Sequence, residues 1–259
     1  MATAWWRNIL NPTVSIIMTA FNAAPTINSA VNSVLSQSFD DLQVIVLDDG
    51  STDATANSIQ GITDTRLTVI PAAHRGRSAA LNAAIAASTG TFIALNDADD
   101  ESLPDRIALQ VAFLSDHPDV DVVSGAMSAT EGNRHWILTY PTENHMIHDE
   151  LDRGRMPIAN ACVMFRRQWF DSTGGFSTEL KRLEDFDLYY RERSRTTFGA
   201  VPEPILRYRF RTFSRKQWVA EENQRLTIVG TSAKAPILGY LRYRLAVFSQ
   251  KRGLGLTKR

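Results

Sequence analysis

Three carboxylates in four residues, Asp97-Ala98-Asp99-Asp100, come directly after the apolar run Thr91-Phe92-Ile93-Ala94-Leu95 and Asn96. Carboxylates this crowded repel one another unless water or a cation neutralises them. Hard oxygen ligands suit Mg²⁺ or Mn²⁺, which keeps several waters and takes one or two carboxylates plus substrate phosphates. The same acids can also form a solvated turn that caps the next helix. A second acidic pair, Asp48-Asp49, follows the apolar run Leu42 to Leu47 and leads into Gly50-Ser51-Thr52-Asp53. A carboxylate there can accept from a base N–H or from ribose hydroxyls. Ser51, Thr52 and Asp53 read equally well as a turn, with Thr52 or Asp53 capping a helix. Arg75-Gly76-Arg77-Ser78 precedes an alanine-rich stretch, where an arginine can pair with a diphosphate or simply be solvated. Glu184 and Asp185 stand at the head of a helical pattern ending near Arg193. A carboxylate beside an acceptor hydroxyl can act as general base, and the helix dipole alone also accounts for acids there. Neither Gly-x-Gly-x-x-Gly nor Gly-x-x-x-x-Gly-Lys-Ser/Thr occurs, so phosphate charge has to be met by metal and arginine rather than by a glycine cradle.

The elements that position these groups alternate. Strands are predicted at 14–21, 42–47, 67–70 and 91–95. Helices are predicted after Pro25, after Asp53, and from Ala79 to Ala87, the last closed by Gly90. Such alternation implies right-handed crossovers and a mainly parallel sheet with helices on both faces. In open α/β sheets ligands bind beyond the carboxyl ends of the strands, which is where Phe21-Asn22, Asp48-Asp49 and Asp97–Asp100 fall. The later chain is less regular. It offers a helix from Leu103 to Leu114, a strand at 120–123, loops and short elements over 127–160, and a strand at 161–165. A helix at 184–193, a strand at 205–210 and helices at 216–229 and 236–250 complete it.

The chain is long enough for one large domain with appendages, and 44% hydrophobic residues exclude a disordered or fibrous protein. A lone cysteine, Cys162, excludes an internal disulfide framework and fits a reducing compartment. No signal peptide is legible, and no stretch reaches the roughly 18 apolar residues of a spanning helix; the expected location is cytoplasmic. The formal charge is zero, but Lys234, Arg242, Arg244, Lys251, Arg252, Lys258 and Arg259 follow the last acid, Glu222. A basic tail on an acidic body is expected to meet something anionic, such as a membrane surface; Leu238, Leu241, Leu245 and Phe248 give it an amphipathic period. The confinement of basic excess to the tail argues against nucleic-acid binding.

Taken in order over residues 12–211, these segments resemble family 2 glycosyltransferases. Residues 14–22 are similar to the family's opening strand and its P-x-Y-N ending. Val46 to Asp53 resembles the D-D-G-S-x-D block, and His74 to Asn82 the N-x-G-x-x-x-A-x-N block. Leu95 to Asp100 resembles the L-D-x-D-D block that holds the D-x-D motif. Ala161 to Arg166, Gly174-Gly175-Phe176 and Glu184 to Leu188 resemble the acceptor-side run.

The resemblance implies a GT-A fold at 12–215, with a nucleotide-binding half at 12–100 and an acceptor half at 101–215; outside it stand an extension at 1–11 and the helical basic tail at 216–259. It implies that Phe21, Asn22, Asp48 and Asp49 line the base and ribose pocket, and that Arg77 faces the diphosphate. It further implies that Asp97 lies by the ribose, that Asp99 holds a divalent metal, Mn²⁺ or Mg²⁺, and that Asp185 deprotonates the acceptor with Glu184 on the acceptor side. The activity implied is a hexosyltransferase-like, inverting transfer of one sugar from a nucleoside-diphosphate sugar, UDP-sugar favoured, to a saccharide or lipid-linked acceptor in surface polysaccharide or glycolipid synthesis. Two departures stand out. Arg211 follows Tyr208-Arg209-Phe210 where many members have a histidine, and the Gln-x-x-Arg-Trp motif of processive members is absent around Gln217-Trp218. A non-catalytic nucleotide-sugar-binding domain and a nucleotidyltransferase of related fold are the alternative readings.

Overall fold

The chain alternates β1 (Val14–Ala20), α1 (Ile27–Leu35), β2 (Leu42–Asp48), α2 (Thr55–Ile59), β3 (Leu67–Pro71), α3 (Arg77–Ala86) and β4 (Phe92–Leu95) in the computed structural model, which describes residues 12–210 and 214–230. The strands of this half lie parallel in the order β3-β2-β1-β4. β1, β2 and β4 read as nearly unbroken apolar runs because both their faces are covered, whereas β3, at the edge, stays partly exposed. Ile16, Met18, Val44 and Val46 pack on one face with Ala30, Val31 and Val34 of α1. Ile17, Ile45 and Leu47 pack on the other with Leu81, Ala84 and Ile85 of α3. Gly90 does not close α3. The helix ends at Ala86 with Ala87 as its cap, whose N–H donates to the Ala83 carbonyl at 3.1 Å. Gly90 instead lies so close to β1 that a Cβ would stand 2.5 Å from the Ser15 nitrogen. Likewise Asp53 is not the cap of α2: it lies before the cap residue Ala54 and accepts from the Thr55 N–H at 2.9 Å.

The second half adds β5 (Glu101–Ser102), α4 (Arg106–Asp116), β6 (Val122–Glu131), β7 (Arg134–Leu138), α5 (Asn144–Asp152), β8 (Met164–Arg166), α6 (Arg167–Thr173), α7 (Glu184–Glu192), β9 (Phe198–Arg209) and α8 (Arg215–Ile228). The sheet continues β4-β8-β6-β9-β5, with β7 paired to β6, and mixes antiparallel and parallel pairs. Here the predicted elements are corrected. β6 does not stop at Val123 but runs on into a hairpin with β7, and α5 follows, so these are the short elements of the 127–160 stretch. β9 begins at Phe198 rather than Ile205. Glycine and proline conceal both strands. The register of β6 against β9 shifts around Gly125, Ala126 and Met127, opposite Pro204, and bulges of this kind are where strands tolerate Gly and Pro. A Cβ on Gly125 would also meet Ile205 Cδ1 at 2.6 Å. The strand expected at 161–165 is shorter, with a 3-10 turn at Asn160–Cys162 before β8. The basic 236–250 segment and Arg211 lie outside the described residues. No helix among the described residues is long and apolar enough to cross a membrane.

Candidate active site

The carboxyl ends of β1, β2 and β4 open onto a cavity of about 350 Å³ lined by Phe21, Asn22, Asp49, Arg77, Asp97 and Asp99, together with His74. Its floor is held by side chains that leave the strand ends. Asn22, at φ 52°, accepts from the Thr52 N–H at 2.8 Å and so ties the end of β1 to the turn after β2. Asp48 does not line the cavity; its Oδ1 accepts from the Ser51 N–H at 2.9 Å. Asp49, 4% exposed, accepts from the Arg75 and Gly76 N–H groups at 2.8 and 2.9 Å, which fixes the loop that leads into α3.

His74 also lines this cavity, although its place in the sequence assigned it no role. Its ring stacks on Phe21 with centroids 4.3 Å apart. Its Nδ1 lies 2.9 Å from Asp49 Oδ2 and 3.0 Å from the Asp49 carbonyl. Both neighbours are acceptors, so Nδ1 carries the hydrogen. Gly50, at φ +74°, permits this: a Cβ there would fall 2.7 Å from the His74 nitrogen.

A second, more apolar groove of about 910 Å³ is lined by Glu184 and Asp185 from the head of α7, with Tyr140, Met156, Tyr208 and Phe210 on its walls. Arg77 and Asp97 belong to both cavities. Arg77 Nη2 donates to Asp97 Oδ1 at 2.5 Å and Nε to Glu184 Oε1 at 2.8 Å. Thus one guanidinium joins the end of β4 to the start of α7, and the Asp97 and Glu184 carboxylates hold it firmly charged. Leu183, just before α7, takes a left-handed φ of 60°, the kind of backbone strain that clusters at functional sites. Asp185 lies half-buried, and its carboxyl is pushed up to about 7, chiefly by burial and then by the adjacent Glu184.

Asp97, Asp99 and Asp100 each bring a carboxylate oxygen within 4.8 Å of the others. Asp100 is 1% exposed, and its carboxyl is pushed up to about 8, first by burial and then by Asp97. Its Oδ1 accepts from the Arg209 N–H at 3.0 Å, while Oδ2 is buried and accepts no hydrogen bond among the described residues. An acceptor of this kind beside two further acids is costly without a cation, so the donor set fits a hard divalent ion.

Residues 15–174 match the family described as Glycosyl transferase family 2. EpsE of Bacillus subtilis (strain 168), whose name as a glycosyltransferase is provisional, is 32% identical over 191 residues, 70% of this chain and 66% of its own. WfaP of Escherichia coli, named a UDP-Glc:alpha-D-GlcNAc-diphosphoundecaprenol beta-1,3-glucosyltransferase, is 37% identical over 102 residues, 39% of this chain and 41% of its own. The chain therefore spans less than two thirds of the length of these curated relatives. Among solved structures, the mannosyltransferase PcManGT of Pyrobaculum calidifontis, in complex with GDP-Man and Mn²⁺, superposes with a TM-score of 0.62 at 20% identity, covering 95% of this chain and 73% of that one. With strands, crossovers and strand-end acids in the expected order, the chain has the GT-A fold and belongs to glycosyl transferase family 2.

Proposed function

We propose that this chain transfers a single sugar from a nucleoside-diphosphate sugar to an acceptor hydroxyl, with inversion. The Arg77 bridge carries the reading. It makes a donor-side acid, Asp97, and the neighbour of an acceptor-side acid, Glu184, share one cation, so the two cavities meet where a sugar would pass between them.

Phe21 and His74 offer a stacking wall for the base, and Arg77 faces the diphosphate. Asp99, with Asp97 and Asp100 beside it, would hold Mn²⁺ or Mg²⁺; when bound, the ion offsets the charge that develops on the leaving diphosphate. Asp185 takes the acceptor proton, and its raised pKa suits a base working near neutrality. The apolar and aromatic walls of the second groove suit the face of a sugar ring or a lipid-linked saccharide. UDP is the favoured nucleotide; WfaP by its name uses UDP-Glc and an acceptor linked to diphosphoundecaprenol.

A panel of UDP- and GDP-sugars incubated with the protein and Mn²⁺ is expected to show release of one nucleoside diphosphate that EDTA abolishes. Silence across the panel, with no nucleotide binding, would contradict the reading. The protein is proposed to work on the cytoplasmic side, with the basic tail on anionic lipid. A chain ending at Ala233 is expected to lose binding to anionic vesicles; full-strength binding would remove the tail from the account.

A further inference from the structure

Arg106, in the first turn of α4, is fully buried at 0% exposure, yet it lines neither cavity. A guanidinium away from water is costly unless each donor finds a partner. Nη2 donates to the Leu95 carbonyl at 2.6 Å and to the Val163 carbonyl at 3.4 Å. Nη1 donates to Asn96 Oδ1 and Ser102 Oγ, both at 2.9 Å, and Nε to Gln110 Oε1 at 3.1 Å. Each of these partners is neutral. With no carboxylate among its hydrogen-bond partners, this buried cation offsets little of its desolvation by ion pairing, which points to a use beyond stability.

What Arg106 holds suggests that use. Asn96, 3% exposed, has its Oδ1 gripped by Arg106 and by the Ser102 hydroxyl at 2.8 Å. Its Nδ2 is thereby turned the other way, donating to the Asp97 carbonyl at 2.9 Å and the Asp100 carbonyl at 3.2 Å. The Asp100 N–H donates to the Asp97 carbonyl at 3.2 Å, which closes the turn. The chain of contacts runs from a buried fork, through one amide, to both ends of the acidic turn. Gln110 anchors the fork in place, donating to the Val123 and Cys162 carbonyls at 3.3 and 2.8 Å.

We propose that Arg106 is a positioning residue for the donor side of the site: by fixing Asn96 it sets the backbone path of Asp97 to Asp100 and hence the directions in which Asp97 and Asp99 present oxygens to a divalent cation. The proposal rests on the reading of Asp99 as the metal holder. Groups that orient ligands in this way typically change metal affinity by about 10–100-fold when removed.

The test uses the full chain and Mn²⁺ alone, with affinity read by calorimetric titration and the unfolding midpoint recorded for each variant. Arg106→Gln is expected to weaken Mn²⁺ binding by about 10–100-fold, and Asn96→Ala to do the same. The double variant should lose no more than the worse single one, because both break one chain of contacts. Arg106→Lys keeps the charge but not the fork; it should weaken Mn²⁺ in the same direction and keeps the test decisive if Arg106→Gln does not fold. Folded Arg106 variants that bind Mn²⁺ as tightly as the wild type, while Asp99→Asn does not, would overturn the positioning role alone, and a lowered midpoint with unchanged affinity would assign Arg106 to folding only. If neither Asp99→Asn nor any Arg106 variant changes Mn²⁺ affinity, the metal reading fails and the proposal falls with it.

Discussion

Asp185→Asn is expected to lower sugar transfer by about 10²–10⁴-fold, the span covered by loss of a positioned proton acceptor, while nucleoside-diphosphate affinity stays at the wild-type level. The asymmetry follows from position. Asp185 lines the second groove and is absent from the walls of the donor cavity. Asparagine is close to isosteric, and its side-chain oxygen can still accept from the Phe186 N–H, which Asp185 Oδ1 receives at 2.7 Å. The head of α7 should therefore survive, and Glu184 should keep its hold on Arg77.

The same substitution carries a stability signature. Burial and Glu184 raise the Asp185 carboxyl from 3.8 to about 7. Between those values the folded protein binds this proton more tightly than the unfolded chain. Folding stability therefore falls as pH rises through that window. Asp185→Asn removes this dependence, so the variant should be the more stable protein above about pH 7 and lose that advantage near pH 4. The wild-type transfer rate should run the opposite way, rising as Asp185 loses its proton. A pH-rate profile beside a thermal midpoint series reads both. A rate that rises on acidification would contradict the base assignment.

Asp99→Asn is expected to act on the other cavity. Asp97 already spends one oxygen on Arg77, and Asp100 is buried with Oδ1 on the Arg209 N–H. Asp99 is the half-buried member that lines the donor cavity alongside Asp97. Loss of its charge should weaken Mn²⁺-dependent donor binding by about 100-fold or more, beyond what removal of an outer-shell group costs. The unfolding midpoint should change little or rise, since three crowded acids become two. Donor affinity that no longer responds to EDTA in the variant, yet does in the wild type, is the expected pattern.

The legible part of this protein is the part built from one repeated physical unit. β1 to β4 are parallel, and β1, β2 and β4 are buried on both faces, so they appear as apolar runs; the acids at their ends stand out by contrast. The second half obscured itself for equally physical reasons. Gly125 and Pro204 sit where β6 and β9 slip against each other, and both residues normally argue against a strand. His74 heads the block that runs to Asn82, but its significance is a pairing across the cavity, with Phe21 and Asp49, that no spacing encodes. Arg106 carried a weak local signal: a basic residue four before Gln110 on the helix face that also carries Ile107 and Leu114. Only the fold reveals that both polar side chains point into the sheet, behind the acidic turn.

The most direct test of the central claim is a parallel measurement of donor-nucleotide affinity and transfer rate in wild type, Asp99→Asn and Asp185→Asn, with Mn²⁺ and with EDTA. The account predicts that only Asp99→Asn loses Mn²⁺-dependent affinity, and that Asp185→Asn loses transfer at wild-type affinity. Equal loss of donor affinity in both variants would contradict the division of the site into a metal-holding donor wall and a proton-accepting acceptor wall.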